Sequence, residues 1–292
     1  MTLQRCNPFV AAVYFLGVLL ITMFVPHPII LAVSLLGAVS ICAFLATARD
    51  LWRGLRLSLF LFCLITAVNP LFSHNGVTPL FYMNGNPVTL EAYLYGAGIG
   101  LMVVSVYLWC KALSLVFTAD RAVYLFGKAT PKTALVLSTA LRYIPMLRRQ
   151  ADRIADAQKT IGCTASDGYW DRVKAVLRMF SALIGWSLES AVETAKAMRA
   201  KGYGIGRRTA YSDLSFRLRD GLMTAVCLGL ACIVPIAVLR HDLDFAYYPA
   251  VTRIEFSVWN TAAIAAFAVL AFLPAGAEIG ERVKWNYYRS KI

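Results

Sequence analysis

Six apolar runs dominate this chain: residues 9–25, 28–47, 55–72, 91–117, 218–239 and 251–273. Runs of about 17–25 apolar residues are candidate transmembrane helices. The whole chain is 59% hydrophobic and 15% charged, whereas soluble domains carry about 25% charged residues. The expected fold class is therefore an all-α polytopic membrane protein with about six transmembrane helices. Arg5 precedes the first run, as in a signal peptide, but no small-residue cleavage site follows it. Phe24-Val25-Pro26-His27-Pro28 turns directly into the next run, so the first is read as a retained helix.

Lysine and arginine orient the spans, because cytoplasmic loops carry the excess. The short loop read at 48–56 holds Arg49, Arg53 and Arg56, and the block 118–217 holds most of the positive charge. The tail adds Arg282, Lys284, Arg289 and Lys291. Loop 73–90 has neither Lys nor Arg, and 240–253 has only Arg240 and Arg253. Both termini and the block are thus placed in the cytoplasm. The net charge of +13 follows from this topology and from attraction to anionic headgroups. No soluble basic domain with base-stacking aromatics accompanies it, so nucleic acid is not expected as a partner. Cys42, Cys63, Cys110, Cys227 and Cys232 fall in apolar spans; Cys6 and Cys163 fall on the cytoplasmic side, where thiols stay reduced. They read as packing residues.

Three regions result: four spans over 1–117, a cytoplasmic insert over 118–217, and two spans with a basic tail over 218–292. In loop 73–90, turn signals at Asn75-Gly76, Pro79, Asn84-Gly85 and Asn86-Pro87 surround Leu80, Phe81 and Tyr82. They predict a small hairpin or re-entrant piece at the membrane surface. Asn69-Pro70 should kink or end the third span.

The insert is predicted to hold two long amphipathic helices. In the first, 133–161, Leu137, Leu141, Ile144, Leu147, Ala151, Ile154 and Ile161 follow helical spacing, and Pro145 should bend it. In the second, 171–201, the stripe is Val173, Leu177, Phe180, Ile184, Leu188, Ala191, Ala195 and Met198. Asp167-Gly168 separates the two, and Gly202-Tyr203-Gly204 closes the second with a glycine C-cap. Each extends about 40 Å at the helical rise. Their ends match: Ala157-Gln158-Lys159-Thr160-Ile161-Gly162 and Ala197-Met198-Arg199-Ala200-Lys201-Gly202. Basic residues in a last turn complement the helix dipole. That explains either ending, but not the presence of both in one insert.

These residues carry a resemblance. Leu141-Arg142-Tyr143-Ile144-Pro145 with Ala157-Gln158, and Glu193 to Tyr203, are similar to the two coupling helices of the transmembrane T component of energy-coupling factor (ECF) importers. The resemblance covers mainly 133–215. It implies coupling helices whose Ala-Arg-Gly-type ends insert into grooves on two ABC-type ATPases. The implied docking residues are Gln158, Lys159, Thr160, Ile161 and Gly162 at the first end and Arg199, Ala200, Lys201 and Gly202 at the second. It also implies a small substrate-binding membrane subunit (S component) as partner, met by Phe180, Ile184 and Leu188. ATP and Mg would be used by the ATPases, with no cofactor in this chain. The implied role is a non-catalytic coupling subunit for uptake of a vitamin or metal ion in the prokaryotic cytoplasmic (inner) membrane. Two departures stand out. Lys201 replaces the usual arginine, keeping charge but losing the planar fork. Ile161 replaces the first motif's basic residue, with Lys159 two positions earlier.

No GxxxxGK[ST] occurs, so no phosphate-cradling loop is present. His27, His74 and His241 stand apart in predicted extracellular segments, without zinc-site spacing. Lys111 is placed near a cytoplasmic span end, and Glu91 and Glu255 near outer ends. Midplane carboxylates, usual in ion-coupled carriers, are missing. Gly96, Gly98 and Gly100 read as helix packing. Two alternatives stay open. A permease lining its own path would need a polar route across the spans. A membrane-embedded enzyme would need acidic or histidine clusters, for which Asp242 and Asp244 are thin.

Overall fold

The computed structural model describes residues 7–73, 76–83, 86–162, 168–206, 218–240, 243, 245–249, 252 and 257–289. The readings made on Arg5, Cys6, His74, Asn75, Asn84-Gly85, Cys163, Asp167, His241, Asp242, Asp244, Arg253, Glu255 and Lys291 lie outside them. In chain order the elements are α1 (Pro8–Phe24), α2 (Pro28–Leu45), α3 (Ala48–Phe72), β1 (Pro79–Met83), β2 (Asn86–Thr89) and α4 (Leu90–Val116). There follow α5 (Ala119–Ala129), α6 (Pro131–Thr160), α7 (Tyr169–Ala200), α8 (Leu218–Leu239) and α9 (Val258–Arg289). The chain divides into two compact units, Met1–Thr118 with Leu214–Ile292, and Ala119–Asp213.

In the first unit, α4 packs on α3, α2 and α1, while α9 joins α2 to α8 and α8 packs on α1. The core gathers on Trp109 of α4, fully buried, with the Tyr14 and Phe15 rings edge-on at 6.1 Å each. The Trp109 indole Nε1 donates to Ser34 Oγ at 2.9 Å, and that hydroxyl pairs with Thr22 Oγ1 at 2.7 Å. One polar chain thereby fixes α1, α2 and α4 in register, each buried polar atom having a partner. Tyr14 also donates to the Ala271 carbonyl at 3.3 Å, tying α1 to α9.

The glycine-rich stretch of α4 is a packing surface. A Cβ on Gly96 would come within 2.9 Å of the Asn69 Cβ, and one on Gly100 within 3.1 Å of the Phe62 ring. Asn69 Nδ2 donates to the Ala92 carbonyl at 3.0 Å across the same α3–α4 seam. Gly98 faces the Tyr247 hydroxyl. Strands β1 and β2 pair antiparallel, Phe81 opposite Val88 and Met83 opposite Asn86. Thr78 Oγ1 donates to the buried Glu91 carboxylate at 2.7 Å, pinning the approach of β1 to the start of α4.

Several boundaries differ from those expected. Residues 48–56 are not a loop but the first turns of α3, with Thr47 extended at the N-cap and Asp50 in the first turn, where the helix dipole favours an acid. Lys111 reaches back to this turn, Nζ donating to the Asp50 carbonyl at 2.5 Å rather than extending to solvent. The last span begins at Val258 and continues through Pro274 to Arg289, so the described part of the basic tail is helix. Segment 119–129 is a separate helix, α5. Pro145 lies within α6 without ending it. Pro70 sits in the last turn of α3, which ends at Phe72.

Six described helices have the length and apolar composition to cross a membrane, as expected in number but not in membership. They are α2, α3, α4, α7, α8 and α9; α1, with 17 residues, falls just short. At about 1.5 Å per residue α1 still spans roughly 25 Å, and its Phe15 and Val18 lie in the core of the first unit. Helix α7 belongs to the other unit and none of its residues is buried. Its apolar stripe raises its composition to that of a span.

Candidate docking site on the paired long helices

The second unit is built from α5, α6 and α7, with α6 packed on both others. Pro131 opens α6, where a missing N–H costs nothing. At one end of the pair, the Tyr143 hydroxyl lies 2.9 Å from Thr194 Oγ1 and donates to the Ser190 carbonyl at 3.4 Å. Thr194 is the main influence drawing the Tyr143 phenol below its ordinary pKa. At the other end, the Gln158 amide, oriented to satisfy both partners, donates to the Ala175 carbonyl and accepts from Met179 N, each at 3.3 Å. As α6 advances from Tyr143 to Gln158, the matching positions on α7 fall from 190–194 to 175–179. The helices are antiparallel, and the two contacts lie about 22 Å apart along α6.

Antiparallel pairing sends the two C-terminal tips to opposite ends, separated by roughly 40 Å along α7. Each tip ends on a residue near the right-handed region, Ile161 (φ −81°, ψ −4°) and Lys201 (φ −82°, ψ 9°). Each is followed by a left-handed glycine, Gly162 (φ 77°) and Gly202 (φ 80°). Gly162 N donates to the Lys159 carbonyl at 3.1 Å, and Gly202 N to the Arg199 carbonyl at 2.9 Å. At the second tip, Tyr203 N adds a bond to the Met198 carbonyl at 3.0 Å, completing a Schellman cap. Glycine takes the positive φ without a Cβ penalty, so both helices stop sharply and present the preceding residue.

Of the sequence-derived tip residues, Lys159, Thr160, Ile161, Gly162, Arg199, Ala200 and Lys201 are exposed, and Gly202 is half-buried. Lys159 pairs with Asp156 at 3.4 Å, an exposed contact of little energetic weight. Thr160 donates to the Ala157 carbonyl at 2.8 Å, satisfying a last-turn acceptor. Gln158 differs from expectation: its side chain is turned inward onto α7 and belongs to the helix pairing, not to the tip surface.

Within the apolar stripe, Phe180, Ile184 and Leu188 are 60%, 45% and 63% exposed, while Val173 and Met198 are half-buried. The row meeting α6 passes through Ala175, Met179, Ser190 and Thr194, with half-buried Leu183 and Trp186 between. This row mixes apolar Ala175, Met179, Leu183 and Trp186 with polar Ser190 and Thr194, and the larger side chains of the exposed stripe drew the hydrophobic reading to the neighbouring face. Among the described residues no group of His, Cys, Asp or Glu is placed to hold a metal.

Apolar helices of spanning length make this a polytopic membrane protein, and its exposed chemistry lies on the long helices of the second unit. The chain belongs to the CbiQ family of cobalt transport proteins, whose profile matches residues 2–211. Curated relatives carry the name energy-coupling factor transporter transmembrane protein EcfT. That of Staphylococcus aureus is 26% identical over 200 residues, 64% of this chain and 72% of the relative. That of Bacillus selenitireducens is 39% identical over 107 residues, 36% of this chain and 40% of the relative. EcfT 1 of Listeria monocytogenes is 27% identical over 202 residues, 64% and 74% of the two chains. The family is the membrane component of a transporter and not a catalytic enzyme.

Proposed function

We propose that this chain is the coupling subunit of an ECF-type importer in a bacterial cytoplasmic membrane, with both termini on the cytoplasmic side. Two ABC-type ATPases, which bind ATP and Mg, hold the tips at Ile161 and Lys201. A small substrate-binding membrane subunit meets the stripe Phe180, Ile184 and Leu188. The observation that supports this reading most is the pair of matched tips on one antiparallel helix pair. Closure of the two ATPases would move two ends about 40 Å apart, and the hydrogen-bonded pair transmits that movement as one body to the stripe. The cargo, a vitamin or a metal ion, is recognised by the substrate-binding subunit. The test is affinity purification of the tagged chain in mild detergent, followed by mass spectrometry and ATPase assay. Two ATPase polypeptides and a small apolar membrane protein are expected, and vanadate-sensitive hydrolysis by the isolated chain would overturn the assignment.

A further inference from the structure

The start of α7 carries an exposed aromatic pair that the coupling reading does not use. Tyr169 and Trp170 are 77% and 74% exposed, their rings edge-on at 6.2 Å. At 3.6 residues per turn, Tyr169, Trp170, Val173, Val176 and Leu177 fall within an arc of about 120°. Val176 and Leu177 are also exposed. Exposed cations stand on both flanks of that arc: Arg172 on one side, Lys174 and Arg178 on the other. Lys174 also lies 3.9 Å from Asp171. The row that meets α6, through Ala175 and Met179, is on a different side of the helix.

This half-helix separates two ways of meeting a membrane. Its apolar content qualifies α7 as a candidate span. Yet three cations within its first ten residues, flanking the apolar arc, are the pattern of a helix lying in the interface plane. Tryptophan and tyrosine favour the headgroup level, and basic side chains beside them attract anionic lipid.

We infer that the N-terminal half of α7 binds the anionic headgroup surface of the membrane, with Tyr169 and Trp170 seated at the interface and Arg172, Lys174 and Arg178 reading the negative charge. The stripe at Phe180 to Leu188 continues the same face, so a membrane-embedded partner and the lipid around it would be met side by side. The inference does not depend on the subunit assignments: losing the lipid contact would leave ATPase co-purification unchanged.

The experiment uses the full chain in nanodiscs of phosphatidylcholine alone or in equimolar mixture with phosphatidylglycerol, with the acyl chains brominated near the headgroup. Trp170 emission is obtained by subtracting the spectrum of Trp170→Phe from that of the native chain. With phosphatidylglycerol, the expected Trp170 signal is blue-shifted and quenched. Most of that quenching should be lost in phosphatidylcholine alone and in Lys174→Glu/Arg178→Glu. Emission that is unquenched in both lipids would overturn the inference. Quenching that is equal with and without phosphatidylglycerol would overturn the recognition of negative charge. Shielding of Trp170 from a soluble quencher only after the co-purified subunits are added would assign the surface to a protein instead.

Discussion

Ile161 and Lys201 occupy the same backbone station on two different helices: each is the last residue before a glycine at φ 77° or 80°. Their side chains share neither charge nor shape. If both tips seat on ATPases, equivalent geometry is being used to present an apolar side chain at one end and a cation at the other.

Lys201→Glu should therefore release an ATPase. Truncating a buried interfacial charge costs about 2–5 kcal/mol, and reversal more. Co-purified ATPase should fall sharply in the variant and uptake by cells should fail. Normal values of both would remove Lys201 from the docking site.

The two tips should answer oppositely to exchange. Ile161→Arg should be tolerated or should strengthen ATPase binding, because it adds a cation to a station that already has the required geometry. Lys201→Ala should weaken binding. Titrating purified ATPase against both variants measures this. Severe loss from the first with none from the second would reverse the assignment of the basic tip.

Ile184→Glu tests the stripe. Ile184 is 45% exposed in the chain alone, so the substitution leaves the helix pair standing. In a contact with an apolar partner it buries an unpaired charge at a cost of several kcal/mol. Capture of the small membrane subunit should drop, while the chain still reaches the membrane with its ATPases bound. Undiminished capture would place that subunit elsewhere.

Tyr143→Phe removes the hydroxyl shared with Thr194 and the bond to the Ser190 carbonyl. Amide exchange at 186–198 should quicken by roughly two- to tenfold, with little change at 218–239. Thr194→Val in the same background should add less than it does alone, because the two act through one contact.

Trp109→Phe acts in the other unit. It deletes the indole donor to Ser34 and part of a fully buried ring system. A loss of about 1–3 kcal/mol is expected, read as a lower midpoint in thermal unfolding in detergent. Ser34→Ala in the same background should cost less than it does alone, because one of that hydroxyl's two contacts is already gone.

The sequence by itself determined the membrane class, the helical character of almost every element and the two glycine-ended tips. These depend on local rules: run length against bilayer thickness, spacing of three and four, and glycine where φ turns positive. Only the tertiary structure decided which faces meet. The α6–α7 seam is fixed by Tyr143 on Ser190 and Thr194 and by Gln158 on the backbone of Ala175 and Met179. The apolar residues on its α7 side are outnumbered by the exposed stripe, so hydrophobic spacing alone does not single it out. Pairing in turn moved Gln158 from the tip to the seam and left Phe180, Ile184 and Leu188 uncovered. It also fixed the antiparallel sense that holds Ile161 and Lys201 at opposite ends. Relative direction and distance between helices are properties of long-range contacts, and residue spacing within either helix carries no record of them.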